Sequence, residues 1–440
     1  MSSPEARDAE PGAASSLWSV LARYSDFRRL FAGNSISVLG SSVTTVALPL
    51  TAVLYLHASA NQMGLLGAAA LLPYLALSLP VGVWMDLFPY KRVLVATDLI
   101  QAVLLGSIPV LATFGVLRLW QLYVVGLLAG CANLLESVAA QSFTPMLIPG
   151  RQLLPANSAL MLTNSVVSTT GTALAGFLVA ALTAPIAIAV DAASFPLACL
   201  CKARIRTSQR PLRSQCQSKQ RLHIEIINGL RAVFGQRIMR SVTIAATLGA
   251  LAGQMQNVVL ILFLVRHLGL AAGPVGIIVA ISGVAAVGGS LIVTCVTRHL
   301  GPGRTFILGM SIQSAAGLVL ASVPRMLSVA MVVVIVAQIL RGTGPSLYGV
   351  NQQTLRQTLM PTKMLARANA SWRFLVYGTQ LFGALLGGYL GSALGPQMTL
   401  IVGSAVMFLG MTIAALSPLR SLRQLPVAPE HDAGSQAEAT

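Results

Sequence analysis

Gly171-Thr-Ala-Leu-Ala-Gly176-Phe-Leu178 returns 212 residues later as Gly383-Ala-Leu-Leu-Gly-Gly388-Tyr-Leu390. The same offset carries Gly64 to Gly276, Arg92 to Arg304, Gln141 to Gln353, Pro149 to Pro361, Leu153 to Leu365 and Asn157 to Asn369. No gap is needed at any of these positions, so one unit has been duplicated within the chain. Small residues at the spacing of the quoted stretch let helices touch closely.

The 440 residues are 55% hydrophobic and only 9% charged. A water-soluble domain could not hide that much apolar surface, so the solvent is lipid. Apolar runs of about 20 residues span a bilayer as helices. The first six are expected near 30–56, 62–85, 93–114, 119–141, 157–182 and 185–203. The second six are expected near 242–265, 274–297, 304–323, 327–349, 369–392 and 396–417. The expected fold class is therefore all-α and membrane-embedded. Its twelve transmembrane helices form two six-helix halves related by a pseudo-two-fold axis roughly along the membrane normal. A duplicated membrane unit of this kind is the layout of a secondary transporter, whose substrate site lies between the repeats.

The net charge of +17 would suit nucleic acid, but its distribution points elsewhere. With the N-terminus inside, the segments facing the cytoplasm hold nearly all the basic residues, and the link between the halves adds Lys202, Arg204, Arg206 and others. The outside loops keep only Arg118, Arg266 and Arg325. This asymmetry places both termini in the cytoplasm, as expected for a multi-pass protein of the inner (plasma) membrane. Nucleic acid is excluded as a partner. The chain divides into a polar tail 1–26, a first half 27–203, a linker 204–241, a second half 242–419 and a tail 420–440, both tails being predicted as disordered. Within the linker, His223 to Arg240 has Ile224, Ile227, Leu230, Phe234 and Ile238 at helical spacing, which predicts an amphipathic helix on the inner leaflet. The plainer role of this segment is a tether.

Ionisable residues inside spans are expensive and rare. Here they are Asp98, Glu136, Asp191, Arg341 and Arg373. Asp98 lies about two turns from Lys91 and Arg92, which could satisfy it at the inner interface. Asp191 suits a hydrogen bond to neighbouring backbone. Glu136 follows Asn133 and precedes Ser137 and Gln141 on one polar stripe of the fourth span. An isolated carboxylate there can trade protons; the alternative is a fixed ion pair, for instance with Arg341 or Arg373. These three acids are the proton-coupling candidates, Glu136 first.

Other polar positions suggest a substrate cavity. The first span carries Asn34, Ser37, Ser41 and Thr45 on one face, with Ser42 beside it. In the seventh span Gln254 and Asn257 match Ser42 and Thr45 at the 212-residue offset. The tenth span has Gln338, Arg341 and Tyr348, and Tyr348 matches Glu136. Scattered hydroxyls in membrane helices often bond only their own backbone; the matched positions favour a cavity lining.

Gly82-Val-Trp-Met-Asp86-Leu-Phe-Pro-Tyr-Lys91-Arg92 resembles the loop signature of the major facilitator superfamily between its second and third spans. Leu153-Leu-Pro-Ala-Asn157-Ser, Asp191-Ala-Ala-Ser-Phe195, Asn228-Gly-Leu-Arg-Ala-Val-Phe234, Asn369-Ala-Ser-Trp-Arg373 and Ser417-Pro-Leu-Arg420 look like its drug-efflux branch, which includes enterobactin exporters and macrolide-efflux proteins. The resemblance implies a rocker-switch transporter in which helices 1, 4, 7 and 10 line the cavity. It implies a gate built on Gly82, Asp86, Lys91 and Arg92. Asp86 would meet the N-terminus of helix 11 in the outward-facing form, with Arg373 as its partner. The chain also departs from the pattern. Ser41 and Ser42 follow Gly40 where an acid is common, Leu87 replaces a basic residue, Gln101 an arginine, and Arg298 the second loop acid. Glu136 is then the buried acid left on a cavity helix.

These features predict a monomeric secondary exporter of small amphipathic molecules, drug-like or of natural-product and siderophore type, exchanging them for protons. An apolar lining with few polar groups suits such molecules better than sugars or phosphates. No Walker motif is present, the five histidines are dispersed and no metal-ligand pattern stands out, so the chain is read as a non-enzyme without cofactor or metal. The alternatives are an importer or lipid facilitator of the same fold, and a non-transporting membrane sensor or scaffold.

Overall fold

The computed structural model describes residues 21–85, 88–148, 153–206, 231, 234–324, 327–359 and 362–422. Among them are twelve long helices. The first six are α1 (Ser25–Leu50), α2 (Ala60–Met85), α3 (Tyr90–Thr113), α4 (Leu119–Leu147), α5 (Leu153–Ala181) and α6 (Ala184–Ala203). The second six are α7 (Arg237–Leu262), α8 (Ala272–Leu300), α9 (Pro302–Ala321), α10 (Leu327–Leu359), α11 (Thr362–Ala393) and α12 (Pro396–Leu416). Eleven are long and apolar enough to cross a membrane, and α5 contributes the shorter apolar stretch Val166–Ala181. In lipid a backbone must satisfy its own polar groups, and a helix does so within one segment.

The duplication is visible in the backbone as well as in the residues. α1 and α7, α2 and α8, α3 and α9, and α6 and α12 start at positions 212 residues apart. α1 ends in a wide turn of i→i+5 hydrogen bonds over Thr51–Tyr55, and α7 ends in the same turn over Phe263–His267, again 212 residues on. Such widened turns are rare in α-helices, so their recurrence at one offset is strong evidence for a copied backbone.

The helices overrun the apolar spans at several ends. α4 continues to Leu147, α10 to Leu359, and α7 begins at Arg237. The added turns carry Ser142 and Thr144, Asn351 to Gln353, and Arg240. Hydropathy drops such residues, yet helical hydrogen bonding persists beyond the hydrocarbon core. Most of the segment His223 to Arg240 lies outside the described residues.

The chain forms two compact units, Met1–Gln217 with Leu264–Gly283, and Ser218–Phe263 with Val284–Thr440. In the first, α1 packs on α5 and α6, and α3 packs on α4 and α6. In the second, α7 packs on α11 and α12, and α9 packs on α10 and α12. Glycines set the close contacts. A Cβ at Gly171 would meet Ser42 and the Leu39 carbonyl of α1, and one at Gly383 would meet the Leu251 carbonyl of α7. Gly176 lies backbone to backbone against Gly276 within the first unit. Each unit has an apolar cluster in matching positions: Leu30, Leu94 and Phe143 in the first, Val242, Phe306 and Leu355 in the second.

Candidate functional site

Three charged side chains meet inside the first unit. Lys202 of α6 donates to Asp98 Oδ1 of α3 at 2.8 Å and to Glu136 Oε1 of α4 at 2.6 Å. The side chains of Lys202 and Asp98 are fully buried and that of Glu136 is 9% exposed. Ser37 of α1 donates to Asp98 Oδ1 at 3.3 Å and receives Lys202 at 3.5 Å. Gln101, one turn along α3 from Asp98, donates to Glu136 Oε2 at 3.0 Å. Asp98 Oδ2 is buried without a hydrogen-bond partner among the described residues. Four helices thus enclose two carboxylates and one ammonium. With all three ionised the cluster carries one net negative charge, and a single added proton leaves it neutral.

This arrangement corrects three sequence expectations. Glu136 is not isolated, and the cation on it is Lys202 rather than an arginine of the tenth or eleventh span. Asp98 is met by the same lysine; Lys91 instead donates to the Ile205 carbonyl at 2.6 Å, and Arg92 is exposed. Lys202 was counted with the cytoplasmic link because it closes an apolar run. In the structure α6 carries it, and its stem turns inward along α1 at Gly33, where a Cβ would sit 3.0 Å from Lys202 Cγ. The glycine facing it is the signal that sequence reading passed over.

The third acid, Asp191 of α6, is fully buried and takes hydrogen bonds from the Thr44 and Ser194 hydroxyls, not from backbone. Gly40 makes room for it, since a Cβ there would collide with Asp191 Oδ1 and Ser194 Oγ. The face of α1 turned to α6 is therefore Gly33, Ser37, Gly40 and Thr44. Of the predicted cavity stripe, Ser37 belongs to this packed face. Ser42 is buried against Gly171 and donates to the Val38 carbonyl. Asn34 and Ser41 are half-buried, and Thr45 is exposed, donating to the Ser41 carbonyl. Asn133 of α4 is half-buried.

The second unit gathers a different group. Arg341 of α10 donates to Asn257 Oδ1 at 2.6 Å and to Gln256 Oε1 at 3.3 Å, both on α7. Gln256, which sequence reading missed, is fully buried and donates to Ser404 Oγ of α12 at 3.0 Å and to the Leu400 carbonyl at 3.5 Å. Gly317 and Gly403 leave the space its side chain fills. Gln338, one turn before Arg341, is buried with neither amide atom partnered among the described residues. Gln254 is half-buried, and Tyr348 packs edge-on against Phe306 with ring centroids 6.2 Å apart. Arg341, Asn257 and Gln256 are thus brought together. Arg356 of α10 stacks over Trp372 of α11 at 4.0 Å, and Arg373 is exposed. Asp86 lies outside the described residues, so the expected gate is not described.

The chain is thus a duplicated set of membrane-spanning helices with a charged cluster buried inside its first unit. The solved structure of a point mutant of the nucleoside transporter NupG shares the fold at TM-score 0.73 and 12% identity, covering 89% of this chain and 99% of that one. Residues 15–437 match the transmembrane secretion effector family, and the chain belongs to it. The multidrug efflux pump Tap of Mycobacterium tuberculosis is 26% identical over 409 residues, 90% of this chain and 94% of Tap. Macrolide efflux protein A of Streptococcus pyogenes is 25% identical over 130 residues, and that match spans 31% of its length.

Proposed function

We propose that the protein exports small amphipathic molecules in exchange for protons, by rocker-switch alternating access of its two six-helix halves. The observation that carries the reading is the cluster of Asp98, Glu136 and Lys202. Burying unbalanced charge in a membrane protein is costly, and such residues mark ion pathways. One proton converts this cluster between a charged and a neutral state. A proton on Asp98 Oδ2 breaks no hydrogen bond within the described residues, where that oxygen has none. A proton on Glu136 Oε2 displaces the Gln101 donor. Asp98 and Glu136 therefore share the coupling role, and Asp191, held by two hydroxyls, is a structural acid.

Export is supported by the names of the efflux relatives, and both termini in the cytoplasm by the distribution of basic residues. The proposed working unit is a monomer in the bilayer. The test is accumulation by inside-out membrane vesicles, with erythromycin, ethidium and cholate as probes. An acidic lumen is expected to drive uptake of at least one probe, with a matching rise in lumenal pH. Uptake that ignores the proton gradient contradicts antiport. No uptake above vesicles lacking the protein favours the sensor or scaffold.

A further inference from the structure

Between Glu225 and Glu430 the sequence holds no aspartate or glutamate. The whole second half, α7 to α12, is therefore free of acids, yet α10 carries Arg341 well inside its span. The span runs Val329–Arg356, so at 1.5 Å per residue Arg341 lies about 20 Å from either end. A guanidinium at that depth needs a negative charge or a path to water. Its bonds are to the amide oxygens of Gln256 and Asn257, which supply dipoles and no charge. The guanidinium has five N–H donors, more than two amide oxygens can fill. It is half-buried, and the Asn257 beside it is exposed, so the group stays within reach of an arriving molecule.

We infer that Arg341 is the receptor for an anionic group on the transported molecule, and that the protein's ligands are amphipathic anions bearing a carboxylate, sulfonate or phosphate. Asn257 completes the contact. Gln256 is a positioning residue: Ser404 and the Leu400 carbonyl fix its amide, and its oxygen aims the guanidinium. Asp98 and Glu136 of the first unit do not argue for a cationic ligand, because Lys202 already answers them, and Asp191 is held by the Thr44 and Ser194 hydroxyls. An arginine fork matches a carboxylate or phosphate in two parallel bonds, whereas lysine offers a point charge. The inference rests on the transporter reading and narrows its substrate class.

Equilibrium binding tests it without measuring transport. The full chain is placed in nanodiscs of uncharged phosphatidylcholine and titrated with two matched pairs, cholate and its primary amide, and pyrenebutyrate and its amide. The wild type is expected to bind each acid about tenfold or more tightly than its amide. Arg341→Gln should bring acid and amide together, Arg341→Lys should keep part of the preference, and melting curves report whether each variant is folded. Equal affinity for acid and amide in the wild type, binding of neither pair, or a preference that survives Arg341→Gln overturns the inference. Preference for the acids without export by vesicles leaves the anion site standing and removes the exporter. Export of ethidium alone, with acid and amide bound equally, does the reverse.

Discussion

At one place in the duplicated fold the two units have opposite chemistry. The offset that aligns helix starts puts Met310 where Asp98 stands, Tyr348 where Glu136 stands and Ala414 where Lys202 stands. In the first unit these positions hold a buried two-acid, one-lysine cluster. In the second, Met310 and Ala414 are buried in an apolar cluster with Tyr348 packed against it. Gly249, the counterpart of Ser37, lies open to Met310 and Met407. The same helix packing therefore closes with or without charge. Apolar replacements of buried ion pairs are often neutral or stabilising, so the second unit shows what the first could be if folding alone were served. The charges in the first unit are best explained by a task other than holding helices together.

The sharpest way to break this comparison is to unbalance the cluster. Lys202→Met leaves two buried carboxylates without a cation and should lower stability by about 3–5 kcal/mol, the cost of breaking a buried pair. Melting in detergent checks it. Adding Asp98→Asn and Glu136→Gln to that variant removes the excess charge and should restore stability to within about 1–2 kcal/mol of wild type. A triple variant as unstable as Lys202→Met would show that the cluster is structural after all.

A smaller effect sharpens the comparison at the glycine beneath the lysine. Gly33→Ala places a methyl against the Lys202 stem and the Ala198 carbonyl, and should cost about 1–3 kcal/mol as an overpacked contact. Its counterpart is already alanine, Ala245, buried with no lysine opposite. Ala245→Gly should cost only about 0.5–1 kcal/mol, the backbone penalty of glycine in a helix. Equal losses at the two positions would mean that Lys202 does not determine the residue at Gly33.

Much of this was legible in the sequence and some was not. Twelve helices followed from apolar run length, and the duplication from residue identities, because both depend on local composition. The acids of the site were legible for the same reason: a charge in an apolar run stands out. Lys202 was not, because a basic residue at the end of an apolar run looks like an interfacial anchor, and only the facing Gly33 shows that its stem turns inward. The packed face of α1 was not legible. Asn34, Ser41 and Thr45 attract attention as polar, while the packed face is set by Gly33 and Gly40, which carry no polar signal. Gln256 was passed over because it lies between Gln254 and Asn257, and Gly317 and Gly403, which make room for it, are about 60 and 150 residues away in the chain. The anionic-ligand reading needed the structure to show that Lys202 answers Asp98 and Glu136 and that Arg341, among the described residues, meets amides.

The central claim is that the Asp98–Glu136–Lys202 cluster carries the proton that drives transport. Its most direct test is pH-gradient-driven accumulation of a transported probe by inside-out vesicles containing the wild type, Asp98→Asn or Glu136→Gln. Both variants should fold and pass the probe down its own concentration gradient, and neither should accumulate it against that gradient when the lumen is acidified. Accumulation by both variants at the wild-type level would contradict the claim and leave the cluster as a structural lock of the first unit.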